Sequence, residues 1–137
     1  MFLILLFVVS SIVSYYRYSQ MNMDDSICKD GARIVYFWGS WCPVCKMESP
    51  NIDRIAKHFK VESFAVKSGD VKSVESYMQN AGYDFLYNVD ERGEIAHKYG
   101  VNVFPTLVFC KDGRPFLVES GYVTTLGIAI RAWISSL

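Results

Sequence analysis

The chain has no surplus of charge of either sign: 14 lysines and arginines stand against 14 aspartates and glutamates in 137 residues. A protein that tracks phosphates needs excess cations on one face, so a nucleic-acid partner is excluded. Histidine is nearly absent. His58 and His97 lie far apart, with no second ligand pair at zinc spacing. Four cysteines are too few for a disulfide-dense scaffold and too many to ignore. There is no internal repeat and no low-complexity tract. Charge is also missing locally, because Met1 to Tyr16 contains none, while 13 of those 16 residues are apolar. The remaining 121 residues have globular composition and suffice for one core, not two.

The leader, residues 1–16, reads as a signal peptide or a membrane anchor. It lacks the basic start of an export signal, and Ser14 with Ile12 makes a poor cleavage site. As a span it falls short of the ~20 residues that cross a bilayer. Tyr15, Tyr16 and Tyr18 with Arg17 resemble an interfacial girdle. A buried first strand or core helix is the competing reading. Residues 17–32 read as a linker, and 33–137 as the folded domain.

Within that domain, Ile34 to Trp38 is a continuous β-branched and aromatic run, the pattern of a strand buried on both faces. A helical pattern follows from Cys42, with Val44, Met47, Ile52, Ile55, Ala56 and Phe59 apolar and Pro50 interrupting. Ser63 to Val66 predicts a second strand, Val71 to Ala81 a helix stopped by Gly82, Phe85 to Val89 a third strand, and Glu94 to Tyr99 a short helix. Thr106 to Cys110 and Phe116 to Ser120 predict a hairpin around Lys111-Asp112-Gly113. A last helix, capped by Thr124 or Thr125, is expected to bury Leu126, Ala129, Ile130, Trp133 and Leu137. The fold class is α/β, in three layers.

Cys42-Pro43-Val44-Cys45 sits where the buried strand feeds a helix. Two thiols three residues apart share one face of the first turn, and the helix's positive end favours a thiolate on the first. Proline suits that turn, where a missing N–H costs little. Cys42 is expected to be the exposed nucleophile and Cys45 the sheltered thiol that resolves a mixed disulfide. A zinc site and an inert disulfide are the alternatives.

The segment Phe37-Trp38-Gly39-Ser40-Trp41-Cys42-Pro43-Val44-Cys45-Lys46 resembles the active site of the thioredoxin superfamily. Pro50 matches that family's helix-kinking proline, Val103-Phe104-Pro105-Thr106 its cis-proline loop, and Lys111-Asp112-Gly113 its following hairpin turn. The insert Ser68 to Tyr99 is similar to that of the exported TlpA-like branch, which includes ResA and the cytochrome c maturation thioredoxins. The Pro-Val dipeptide is most like that of the copper-sensitivity suppressor ScsD. The resemblance implies a thioredoxin-like three-layer α/β/α fold with a mixed central sheet. It also implies a cis Pro105 facing the disulfide, and substrate contacts from Trp41, Pro43, Val44, Phe104 and Pro105.

The same resemblance makes Glu48 a candidate proton acceptor for Cys45, with a solvated surface carboxylate as the other reading. Thioredoxins place a buried aspartate where this chain has Tyr36. Lys46 reads as a surface charge, and His58 and His97 as surface or helix-end residues. In the implied fold Cys28 and Cys110 lie near one sheet end, as a structural disulfide or as two unpaired thiols. The expected activity is protein-disulfide reduction by the Cys42/Cys45 dithiol, with no cofactor and no metal, on the extracytoplasmic or periplasmic side. Its partners are protein thiols and disulfides, a DsbD-like membrane reductase and, if residues 1–16 are retained, the inner membrane. Copper binding by the two thiolates and a non-catalytic binding module remain as alternatives.

Overall fold

In a computed structural model, which describes residues 1–20 and 25–137, the apolar run Ile34–Trp38 forms the central strand β1, and every one of its residues is buried. A strand with two apolar faces requires cover on both. On one side β1 pairs in parallel with β2 (Val61–Val66), Ile34 opposite Val61, and β2 pairs in parallel with the short edge strand β3 (Asn88–Asp90). On the other side β1 runs antiparallel to β4 (Thr106–Lys111), Phe37 opposite Thr106, and β4 forms a hairpin with β5 (Arg114–Ser120). The sheet order is β3-β2-β1-β4-β5. The β4–β5 turn is Asp112-Gly113, both at positive φ (53° and 76°), the two-residue geometry that suits the strand twist.

Alternation along β1 divides the core in two. Ile34, Tyr36 and Trp38, with Leu107 and Phe109 of β4, face the helices α2 (Pro43–Ile55), α3 (Val71–Ala81) and α5 (Thr125–Ser135) through Ile52, Val74, Met78, Ile128 and Ala132. Val35, Phe37, Val108 and Cys110 face the opposite way, toward Ile27, Cys28, Ala96, Tyr99 and Val101. Ala96 belongs to the short helix α4 (Glu94–Lys98) and Ile27 to a 3₁₀ turn, Asp25–Gly31. The result is the expected three-layer thioredoxin-like α/β/α arrangement with a mixed sheet.

Residues 68–99, the expected insert, hold α3, β3 and α4. Asp70 caps α3 by accepting the Ser73 amide at 2.9 Å and its hydroxyl at 2.8 Å, which holds the Asp70 carboxyl below its usual range. Gly82 ends α3 at φ 74°. Asp90 is buried but fully used, its two oxygens accepting from the Ile95 and Ala96 amides at the start of α4.

Three sequence expectations change. The stretch 17–32 is not all linker: Ile27, Cys28 and Ala32 are buried in the second cluster, because the underside of the sheet needs apolar cover that α4 alone is too short to give. The third strand does not begin at Phe85. That residue is instead a buried plug against Tyr36, Trp38 and Tyr83, and pairing starts at Asn88. In α2 Val44, expected as a substrate contact, is exposed together with Met47, while Glu48, Ser49 and Asn51 are buried with Cys45, Ile52 and Ile55. In α5 the inward stripe is Ile128, Ala132 and Ser135, and Leu126, Ile130, Trp133 and Leu137 face outward.

The leader forms most of α1 (Phe2–Gln20), which lies along β5 with Phe7, Ser10, Ser11 and Tyr15 lining a cavity shared with Phe116, Leu117 and Arg131. Among the described residues no helix is long and apolar enough to cross a membrane. The candidate interfacial residues Arg17 and Tyr18 have side chains outside the described part.

Candidate active site

The connection from β1 to α2 is built around Trp41. Its indole N–H donates to the Val66 carbonyl at 2.9 Å, and its ring meets the Phe104 ring edge-on at 5.6 Å between centroids. The indole lies directly over Gly39, where an added Cβ would sit 2.5 Å from two indole atoms, so only glycine fits. The Ser40 amide donates to the Ser68 hydroxyl at 2.9 Å, and that hydroxyl donates to Val66 at 3.1 Å. These bonds fasten the loop to the carboxyl end of β2.

Cys42 is the N-cap of α2, with extended backbone, and its Sγ accepts the Cys45 amide at 3.2 Å. A sulfur at that position meets helix N-terminal amides and the positive end of the helix, an environment that stabilises negative charge on it once the bond to Cys45 opens. Cys42 and Cys45 are joined as a disulfide, with Cα atoms 5.2 Å apart. Cys45 has no exposed surface and Cys42 only 4%. Cys42 is therefore the more accessible sulfur, but it is not the openly exposed group expected from sequence. Its Sγ lies 3.7 Å from the Phe104 carbonyl oxygen, on the loop whose Phe104–Pro105 bond is cis. Pro105 is buried, its carbonyl accepts the Gly121 amide at 2.9 Å, and Thr106 secures the same loop by donating to Val103 at 2.6 Å. Pro43, Val44 and Met47 are exposed on the first turns of α2, and Val103 on the cis-proline loop.

Behind the disulfide is a buried polar layer that sequence reasoning largely missed. Glu48 has no exposed surface; its oxygens accept from Asn51 Nδ2 at 3.0 Å and from the Val123 amide at 3.1 Å. Burial pushes its carboxyl above the usual range, and those two bonds pull it only partly back. Glu48 is thus not a solvated surface acid. Asn51 also donates to the Val123 carbonyl at 3.1 Å and accepts from Arg54 and Thr125, both at 2.8 Å, tying α2 to the start of α5. Tyr36 is buried under α2, its hydroxyl 3.3 Å from the Cys45 carbonyl and 2.9 Å from the Ser49 hydroxyl. Burial, with the charge of Glu48 as a smaller contribution, drives the Tyr36 hydroxyl far above its usual range, so it stays a neutral donor. A signal for this layer was present: Cys45, Glu48, Ser49 and Ile52 fall at i, i+3, i+4 and i+7, one helical stripe.

Cys28 and Cys110 are joined as a second disulfide, with Cα atoms 5.9 Å apart, on the opposite face of the sheet from Cys42. His58, His97 and Lys46 are exposed and lie outside this arrangement. Among the described residues no group of three or more histidine, cysteine or acidic side chains could hold a metal ion.

Comparison with known proteins agrees with this geometry. The AhpC/TSA family model matches residues 18–115. A thioredoxin-like protein of Haemophilus influenzae is 33% identical over 112 residues, covering 81% of this chain and 67% of that one. The thiol-disulfide oxidoreductase ResA of Bacillus subtilis is 34% identical over 93 residues, covering 64% of this chain and 52% of that one, so the present chain spans about half of ResA. The crystal structure of a secreted thiol-disulfide isomerase from Corynebacterium glutamicum superposes with a TM-score of 0.68 at 23% identity, covering 74% of this chain and 68% of that one, and shares the fold. The chain belongs to the AhpC/TSA family, and its kin are thiol–disulfide oxidoreductases of the thioredoxin type.

Proposed function

We propose that the protein is an extracytoplasmic protein-disulfide reductase working by dithiol exchange at Cys42 and Cys45. The observation that carries this reading is the position of Cys42: a helix N-cap sulfur beside the Phe104 carbonyl on a cis-proline loop. In the dithiol state the Cys42 thiolate attacks a substrate disulfide, joins one sulfur and expels the other as thiolate. Cys45, deprotonated, then attacks Cys42, closes the internal disulfide and releases the second substrate thiolate. Glu48 is the candidate acceptor for the Cys45 proton, since burial moves its carboxyl toward neutral pH. The substrate backbone lies along Phe104, with Trp41, Pro43 and Val44 forming the exposed contact surface and Pro105 shaping the loop beneath it.

No histidine lies between the two cysteines to stabilise the thiolate further, which favours reduction over strong oxidation. Electrons return from a membrane reductase of the DsbD kind. Residues 1–16 deliver the domain across the membrane, as signal or as retained anchor. The Pro-Val dipeptide favours kinship with the copper-sensitivity suppressors, where a reductase would repair copper-oxidised thiols. Equilibration with glutathione at graded potentials, read by alkylation, tests the direction. The expected result is a potential near those of thioredoxin-type reductants, and a value near that of DsbA overturns the reducing role. Stoichiometric copper binding lost in Cys42→Ser, with no insulin reduction by wild type, replaces this reading with metal handling.

A further inference from the structure

The polar layer beneath α2 has a direction. The Cys45 carbonyl can only accept, so the single Tyr36 hydroxyl hydrogen goes to it, and the Ser49 hydroxyl must donate to Tyr36. The peptide that carries this carbonyl continues through its other end: the Lys46 amide donates to the Cys42 carbonyl at 3.2 Å. One chain of hydrogen bonds therefore runs from Ser49 through Tyr36 to the Cys45 carbonyl and, across that peptide, from the Lys46 amide to the Cys42 carbonyl. Each member polarises the next. Cys45 is gripped on both sides, since its own amide points at Cys42 Sγ while its carbonyl is held from below. The Tyr36 ring has little freedom to turn, being stacked with Trp38 at 6.4 Å and met edge-on by Phe85 at 6.0 Å.

We propose that Tyr36 is a positioning residue for the dithiol: held by Ser49, its hydroxyl fixes the backbone of Cys45 relative to Cys42 and so favours closure of the internal disulfide. This rests on the dithiol-exchange reading above and adds to it the group that sets how readily the second step occurs. Tyr36 touches neither sulfur. It acts through the peptide between them, in the strand position where the family resemblance places an aspartate.

The arrangement has a built-in complication that makes the test specific. Ser49 lies four residues after Cys45, so with Tyr36 removed its hydroxyl can bond back to the Cys45 carbonyl. Tyr36→Phe alone is then partly compensated, and Tyr36→Phe with Ser49→Ala is not.

Wild type, both single variants and the double variant are made as full chains. Two quantities are measured: the glutathione equilibrium constant for closing Cys42–Cys45, and the rate at which a preformed glutathione adduct on Cys42 is released by Cys45. The double variant is expected to lose about tenfold in both, the size of one net hydrogen bond, with KM for insulin unchanged. Tyr36→Phe is expected to lose less, in the same direction, and it serves as the measurement if the double variant does not fold. A lowered melting temperature with both quantities unchanged makes Tyr36 a core residue only and overturns the proposal. A wild type that exchanges no thiols with glutathione overturns the dithiol reading itself, and this proposal with it.

Discussion

Removing the Cys28–Cys110 bridge by the paired change Cys28→Ala and Cys110→Ala is expected to destabilise the domain without disabling its chemistry. The bridge joins residues 82 apart in sequence. Loop closure of that length removes about 15 cal/mol/K from the unfolded chain, or ~4.5 kcal/mol at 25 °C, as an upper figure for an unstrained bridge. The native state adds a smaller loss, because both sulfurs are buried among Ile27, Val35, Val108 and Val118 and alanine leaves part of that space empty. Urea unfolding of oxidised wild type and the double variant reads the difference directly. The midpoint should fall and the m-value rise, since an unbridged unfolded chain exposes more surface. Insulin reduction well below the transition should be unchanged, because the sheet separates the two disulfides. A loss under about 1 kcal/mol would refute the reasoning, showing that the 3₁₀ turn is held by packing alone. Finding both residues alkylated as free thiols in the native wild type would refute it more simply.

The Glu48→Gln variant should flatten the pH dependence of stability. A carboxyl whose folded pKa is raised binds a proton more tightly when folded, so wild-type stability falls as pH climbs from the ordinary value of 4.5 through the raised one. The glutamine form lacks that decline, and its stability relative to wild type should grow across that window in denaturant titrations at stepped pH. If Glu48 accepts the Cys45 proton, the same variant slows mixed-disulfide release by about a hundredfold at neutral pH, seen in stopped-flow fluorescence. Gly39→Ala should cost ~1–3 kcal/mol and displace the Trp41 indole from Val66, visible as a shifted tryptophan emission; unchanged emission would contradict the packing described.

What the sequence made legible follows the range of the forces involved. The redox loop was readable because its determinants are local: a buried strand, a glycine, a cysteine at the N-cap and a proline in the first turn fall within ten residues. The α3 boundaries were readable for the same reason, with Asp70 and Gly82 as its caps. The part of 17–32 that packs under the sheet was not, since Asp25 and Gly31 flank it with loop-like composition and only the long-range partner Cys110 explains its order. The outward face of α5 was misread because apolar periodicity identifies a stripe without saying which stripe meets the sheet. In α2 the inward face mixes Cys45, Ile52 and Ile55 with the polar Glu48, Ser49 and Asn51, whose burial is tolerated because Glu48 accepts from Asn51 and the Val123 amide and Ser49 bonds to Tyr36. Periodicity of hydrophobicity cannot register a satisfied polar face.

In the proposed exchange Cys42 forms the bond to substrate and Cys45 breaks it. Expressing the full chain with Cys45→Ala, quenching thiols with acid and mapping the captured species by mass spectrometry tests this directly. Mixed disulfides between Cys42 and protein cysteines are expected, absent when Cys42 is also replaced by serine. Capture through Cys28 or Cys110, or equal capture without Cys42, would contradict it.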